Sequence, residues 1–259
     1  MIRRVIASLL LTWTFAVGAI AQPATVRVAA AASIKPALDE IVATYAARTG
    51  IRVEAVYGAS GNLRRQIVQG APFDLFLSAD EETALALAKD GHAVDNGTIY
   101  AQGELVVFAP NGGVFTPDAV LQGLSTAIAA GRITRFAIAS PEHAPYGKAA
   151  EQALRKAGLW DQIKPVLVTG ENVAQAAQFA ISGSTQGGLF ARSLALTDAV
   201  RAAGTVAVLP AGSHDPINQR MVLLKRGGAE ARAFFNDLSG KEAGAAFARH
   251  GLAPASRQD

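Results

Sequence analysis

The sequence predicts an α/β fold built on mostly parallel sheets, on three observations. Short β-like apolar runs alternate with stretches of helical periodicity along most of the chain. The connections between them are short, as in compact βαβ units. Half of the 259 residues are apolar, which suits a packed core and not a disordered chain.

The chain opens with MIRRVIASLLLTWTFAVGAIA, residues 1–21. Arg3 and Arg4 form a basic n-region, Val5 to Val17 an apolar stretch, and Ala19-Ile20-Ala21 an A-x-A cleavage site. This is the pattern of a secretory signal peptide. An uncleaved anchor is the rival reading, but the apolar run falls short of the roughly 17 residues a span needs. The mature protein is expected to start near Gln22 and to be soluble outside the cytoplasm.

The first strand, 25–30, is marked by Val26 and Val28 flanking Arg27. It runs through alanines into a helix at 34–47, where Ile34, Ala37, Leu38, Ile41 and Val42 recur at helical spacing. Strand 51–56 with helix 61–69, and strand 73–77 with helix 80–89, repeat the unit. Ser78 or Asp80 caps the last of these, with Glu81 and Glu82 in its first turn. A strand at 104–109 sits in GELVVFAPNGG and leaves by a Pro/Gly-rich exit. Strands at 134–139, 165–168 and 187–190 then alternate with helices at 117–129, 147–157 and 172–181. Strands 205–209 and 219–224 flank the Pro/Gly-rich start of LPAGSHDPINQRMVLLKRGG, and helices 228–238 and 241–249 follow. Crossings at 103–113 and 209–228 would make a discontinuous first domain and a continuous second one. Pattern alone leaves a single large domain equally open.

There is no cysteine, so an exported chain of this length must be held by its core alone. The four histidines are scattered and show no metal-ligand spacing. His143 stands beside a Pro-Tyr-Gly turn, while His92, His214 and His250 read as surface residues. The formal charge of +3 falls to about +1 once Arg3 and Arg4 leave, with 22 basic residues against 21 acidic. No Lys/Arg run with interleaved aromatics appears, so nucleic acid is not an expected partner. Arg64 and Arg65 read as a solvated helix face or as positive potential near a cleft.

Four places share one grammar, a small or turn-forming stretch that feeds straight into a helix. They are AAAAS-IKPAL at Ser33, YGAS-GNLRRQI at Ser60, SPEHAPY-GKAAEQAL at Tyr146 and TGEN-VAQAAQFA at Val173. A helix N-terminus carries unpaired N–H groups and partial positive charge, so several converging ends bind an anion. Taken singly, Ser33 and Ser60 are ordinary N-caps. If Ser33 is the cap, Pro36 stands at the third helical position and offers no N–H, which frees the hydroxyl for another partner.

AAAASIKPALDEI, YGASGNLRRQI, GAPFDLFLSAD, GELVVFAP, SPEHAPYGKAAEQAL and GENVAQAAQFA, in this order and spacing, resemble the periplasmic molybdate-binding proteins of ABC importers. The resemblance covers essentially the whole mature chain. It implies a two-lobed periplasmic-binding-protein fold, each lobe a mostly parallel sheet flanked by helices, with the ligand in the cleft between. Lobe 1 would comprise residues 22–104 and 213–259, and lobe 2 residues 105–212. The resemblance also implies capture of molybdate or tungstate without covalent chemistry or cofactor, the molybdenum arriving only as its oxyanion. The family's two serines fall on Ser33 and Ser60, and its backbone donors on Tyr146 and Val173. A tyrosine often follows the late strand and adds a hydroxyl to the oxyanion; GGLFARSLA puts Ala191 there. The Tyr146 hydroxyl would then either reach into the space Ala191 leaves or face water above a packed ring. The implied partners are the permease and ATPase subunits of an importer, with the protein a periplasmic monomer.

Two other functions compete. One is a binding protein for sulfate or another oxyanion. The other is an exported serine hydrolase using Ser33 or Ser60, which needs a histidine base and an orienting acid. The G-x-S-x-G elbow is absent, since GASGN breaks it.

Overall fold

The computed structural model describes residues 25–254. The signal peptide expected over 1–21 lies outside the described residues. Among the described residues, ten strands form two sheets of five. In the first, β1 (Thr25–Ala31), β2 (Arg52–Gly58), β3 (Leu75–Leu77), β4 (Thr98–Gly103) and β10 (Ile217–Leu223) are ordered β2-β1-β3-β10-β4. In the second, β5 (Leu105–Pro110), β6 (Phe136–Ala139), β7 (Leu167–Gly170), β8 (Gly188–Ala191) and β9 (Gly204–Val208) are ordered β7-β6-β8-β5-β9.

The two sheets share one plan. β1 pairs in parallel with β2 and β3, and β6 in parallel with β7 and β8. β10 and β5 run antiparallel to both of their neighbours. Each sheet is therefore mixed, with four strands in one direction and the fourth in the row reversed. The reversed strands are the ones reached directly from the other sheet, β5 from β4 through Glu104 and β10 from β9 through 209–216. A strand that arrives this way has no crossover helix to bring it back parallel.

In chain order the helices are α1 (Lys35–Thr49), α2 (Ser60–Val68), α3 (Glu81–Lys89), α4 (Gln122–Ala129), α5 (Pro145–Lys156) and α6 (Trp160–Ile163). They continue with α7 (Val173–Ile181), α8 (Arg192–Ala195), α9 (Asp198–Ala203), α10 (Ala229–Leu238) and α11 (Lys241–Arg249). On one face of the first sheet, Leu38, Ile41 and Tyr45 of α1 pack with Val26, Val28, Phe234 and Phe247. The Tyr45 and Phe234 rings lie 4.8 Å apart. Leu63, Ile67, Phe76 and Leu87 fill the other face. The second sheet is covered by Leu124, Ala150, Leu154, Ala176 and Ala180 from α4, α5 and α7. Its core also takes in Ala31, Ala32, Ala59, Ala79 and Ile217 from the first lobe, so the lobes are closed on each other.

Some elements differ from expectation. β4 and the short helices α6, α8 and α9 carry too few apolar repeats to show in the pattern. The helix expected over 117–129 starts only at Gln122, because Leu121 before it is left-handed, with φ 62°. Asp118 folds the approach instead: its carboxylate accepts the N–H groups of Val120, Gln122 and Gly123 at 3.0, 2.9 and 2.6 Å.

Gly103 ends β4 where the chain leaves for the second sheet. A Cβ there would lie 2.1 Å from Tyr146 Oη and 2.9 Å from Gln219 Nε2. Gly103→Ala is expected to cost about 1–3 kcal/mol of stability by overpacking, read from the denaturant midpoint. Tyr146→Phe, which removes the crowding oxygen, should recover part of that loss in the double variant. Identical midpoints for the parent and Gly103→Ala would show that the crossing has room for a methyl group.

Candidate functional site

A small cavity lies where the carboxyl ends of the two sheets face each other. Its walls are Ala31 to Ser33 at the end of β1, Gly58 to Ser60 at the end of β2, Ala79 after β3, Ala144 to Tyr146 after β6 and Val173 after β7. Ser33, Ser60, Tyr146 and Val173 are thus brought to one point from four loops. Carboxyl ends of parallel strands are where α/β folds place ligands, because the following helices begin there with N–H groups facing out. Small residues set the spacing: Ala31, Ala32, Gly58, Ala59, Ala79 and Ala144 keep side chains out of the way of the backbone. The lining contains no acidic or basic side chain and no histidine.

Ser33 is not a helix cap. It lies in one 3-10 turn, Ala32–Ile34, and α1 begins after it with Ile34 in the capping position and no side-chain cap. Pro36 is therefore the second helical residue, not the third. Ser33 is fully buried, and its Oγ has no hydrogen-bond partner. A buried hydroxyl left in this state is costly and calls for an explanation.

Ser60 opens α2 and does not cap it either. Its buried Oγ accepts the N–H of Ala79 at 2.9 Å, which ties β3 to the site and leaves the hydroxyl proton to donate elsewhere. α5 begins with Pro145, which has no N–H, so Tyr146 supplies the first donor of that helix. Gly147 follows because a Cβ there would meet the carbonyl oxygens of Ala139 and Ser140 at 2.4 Å each. That close approach seats the start of α5 on the end of β6. At α7, Asn172 Oδ1 accepts the N–H groups of Ala174 and Gln175 at 3.0 and 3.1 Å. The first N–H, that of Val173, is left over. Ser60, Tyr146 and Val173 all stand in first turns, where no intrahelical acceptor exists.

The Tyr146 side chain is buried, so the reading in which its hydroxyl faces water fails. Its Oη accepts from Gln219 Nε2 at 3.2 Å, and Gln219 Oε1 accepts from the Tyr100 hydroxyl at 2.8 Å. Burial pushes both phenols up, and at Tyr146 the neighbouring Ser33 and Gln219 only partly offset this. Both stay protonated. Ser33 Oγ thus neighbours the Tyr146 hydroxyl closely enough to favour its ionised form, yet it meets no partner at full hydrogen-bonding geometry. Ala191 is buried at the end of β8, opposite Leu105, and does not line the cavity.

The remaining polar candidates stand outside. Asp80 caps α3 by accepting the Thr83 N–H at 2.8 Å, and Glu81 pairs with Arg220 at 2.9 Å. Arg64 pairs with Asp90 at 2.7 Å. Arg65 bonds Asn62, and reaches His143 Nδ1 at the rim at 3.3 Å. His250 is half-buried against Glu40 at 2.8 Å and is not the plain surface residue its sequence context suggests. Ser193 and Gln219 touch cavity residues and carry no local sequence signal.

Two α/β lobes closed over a small uncharged cavity define a protein that takes up a small solute by closing on it. Residues 26–253 match the model of the bacterial extracellular solute-binding proteins, and the chain belongs to that family. It is 35% identical over 219 residues to the molybdate-binding protein ModA of Rhodobacter capsulatus, covering 83% of this chain and 82% of that protein. It is 33% identical over 250 residues to ModA of Escherichia coli K12, covering 93% and 94%. The solved periplasmic molybdate-binding protein of Azotobacter vinelandii superposes with a TM-score of 0.80 at 29% identity, over 89% of this chain and 100% of that one. The sulfate-binding protein SubI of Mycobacterium tuberculosis H37Rv superposes at 0.75 with 17% identity, over 90% and 88%, a likeness of fold alone.

The two serines should behave differently in the protein without ligand. Ser60→Ala strands the buried Ala79 N–H and is expected to lose about 1–3 kcal/mol. Ser33→Ala removes an oxygen that has no partner and should leave stability unchanged or raised. Denaturant unfolding of both variants checks this, and the reverse order would mean that Ser33 serves the fold.

Proposed function

We propose that the protein captures a fully deprotonated tetrahedral oxyanion, molybdate and also tungstate, and delivers it to the permease and ATPase subunits of an ABC importer. The observation that carries this reading is the buried, unpartnered Ser33 hydroxyl in a cavity of helix N-termini without a charged side chain. On this reading Ser33 and Ser60 bind through hydroxyl and backbone N–H, and Tyr146 and Val173 through backbone N–H. A dianion accepts every one of these bonds, each assisted by its charge. Phosphate near neutral pH keeps a proton that would face donors only, a mismatch of about 1–3 kcal/mol. The relatives named for molybdate support the choice of anion.

Sulfate is the second reading. It offers the same all-acceptor chemistry, and the fold is shared with a sulfate-binding protein. Anion size separates the two. A hydrolase finds less support, since a serine nucleophile needs a base within reach. No histidine lines the cavity, and Ser60 Oγ already accepts from Ala79. The proposal is therefore binding without catalysis or cofactor, by a monomer in the periplasm after cleavage following Ala21.

Calorimetric titration of the ligand-free protein near neutral pH tests this. Molybdate and tungstate are expected to bind and phosphate to compete poorly; displacement of molybdate by phosphate at comparable concentration would sink the all-donor reading. Ser33→Ala and Ser60→Ala should each weaken molybdate binding by roughly 1.5–3 kcal/mol, about ten- to a hundredfold. Unchanged affinity in both would remove the serines from the site.

A further inference from the structure

Two buried side chains outside the cavity reach across between the lobes, and each ends on a cavity residue. Ser193, at the start of α8 in the second lobe, donates its Oγ proton to the Ser33 carbonyl at 2.6 Å. Gln219, in β10 of the first lobe, donates Nε2 to Tyr146 Oη at 3.2 Å. The directions are reciprocal, one lobe gripping the other in each case. All four residues are at most 2% exposed. Other contacts also bridge the lobes. Gly61 donates its backbone N–H to the His143 carbonyl at 3.0 Å, with no side chain involved. Lys148 to Glu82, at 3.3 Å, joins two largely exposed side chains, and such a pair adds little.

We propose that Ser193 and Gln219 are positioning residues of the oxyanion site, forming a reciprocal clasp that fixes Ser33 and Tyr146 in donor geometry only when the lobes are closed. The proposal rests on the oxyanion-binding reading given above. A bond between lobes exists only in the closed state, and so does an anion held by donors from both lobes. The two are linked: each clasp bond raises the closed fraction, and thereby the apparent affinity, without touching the ligand. Encounter precedes closure, so the clasp acts on the rate of escape and not on the rate of arrival.

The geometry also says why these two residues were placed so. The carbonyl of Ser33 belongs to the same 3-10 turn that carries its unpartnered hydroxyl, so holding the carbonyl holds the turn. Tyr146 offers its N–H at the cavity end and its hydroxyl at the crossing beside Gly103, so Gln219 grips the far end of a residue whose near end faces the ligand. Gln219 is itself fixed by Tyr100, whose hydroxyl also lies 3.2 Å from the Ser78 carbonyl.

The test uses the full mature chain and molybdate as the probe. Ser193→Ala and Gln219→Met should each raise the rate of molybdate release about tenfold, the effect of one lost hydrogen bond. The association rate should stay at the parent's value. Ser193→Thr, which keeps the hydroxyl, should restore slow release. A parent-like release rate in Ser193→Ala would overturn the clasp, as would a drop in ligand-free melting temperature without faster release. The chain lacks cysteine, so spin labels at R132C and R232C, one exposed site on each lobe, report the interlobe distance cleanly. If the parent binds no oxyanion, the functional reading fails and this distance decides the clasp alone. Ser193→Ala should then lengthen it without ligand, and an unchanged distance would overturn the proposal.

Discussion

A buried donor must find an acceptor, and this protein gathers several donors at one point without supplying one. The Ser33 hydroxyl is buried and unpartnered, and three helix first turns open toward it. In water each of these groups is satisfied. Once the lobes close, an anion suits them together, because it brings many acceptor lone pairs into a space lined by no acidic side chain. Closure and binding are therefore coupled: the anion relieves the desolvation cost that the closed state's own donors otherwise carry.

The folding plan follows from that need. Two sheets with the same strand order and the same reversed fourth strand present their carboxyl ends to each other. The alanines and glycines at those ends give up apolar burial so that backbone can approach backbone. The chain crosses between the sheets twice, and at the shorter crossing Gly103 makes room for Tyr146 and Gln219. The crossing and the cavity thus share Tyr146, whose hydroxyl packs at the one and whose residue lines the other.

Much of this is legible in the sequence, and what is not has a physical reason. The strand–helix junctions at Ser33, Ser60, Tyr146 and Val173 are local, so their grammar shows in ten residues or fewer. The role of each serine is not local. Whether Ser60 caps its own helix or accepts the Ala79 N–H depends on a contact 19 residues away, and the structure chooses the latter. Ser33 reads as a cap only if the helix starts one residue earlier than it does. Ser193 meets Ser33 across 160 positions and Gln219 meets Tyr146 across 73, so no window could reveal either. β4 hides because TIYAQG mixes polar and apolar residues at a sheet edge. The late start of α4 turns on one carboxylate and a left-handed Leu121, which periodicity does not encode.

A crystal structure of the mature protein grown with molybdate, with the metal located by its anomalous scattering, would decide the account. The account predicts a single molybdenum peak inside the closed cavity. Its oxygens should lie within hydrogen-bonding distance of Ser33 Oγ, Ser60 Oγ and the N–H groups of Tyr146 and Val173, with no acidic or basic side chain in contact. A peak elsewhere, or one in the cavity with Ser33 Oγ turned away from the anion, would contradict it.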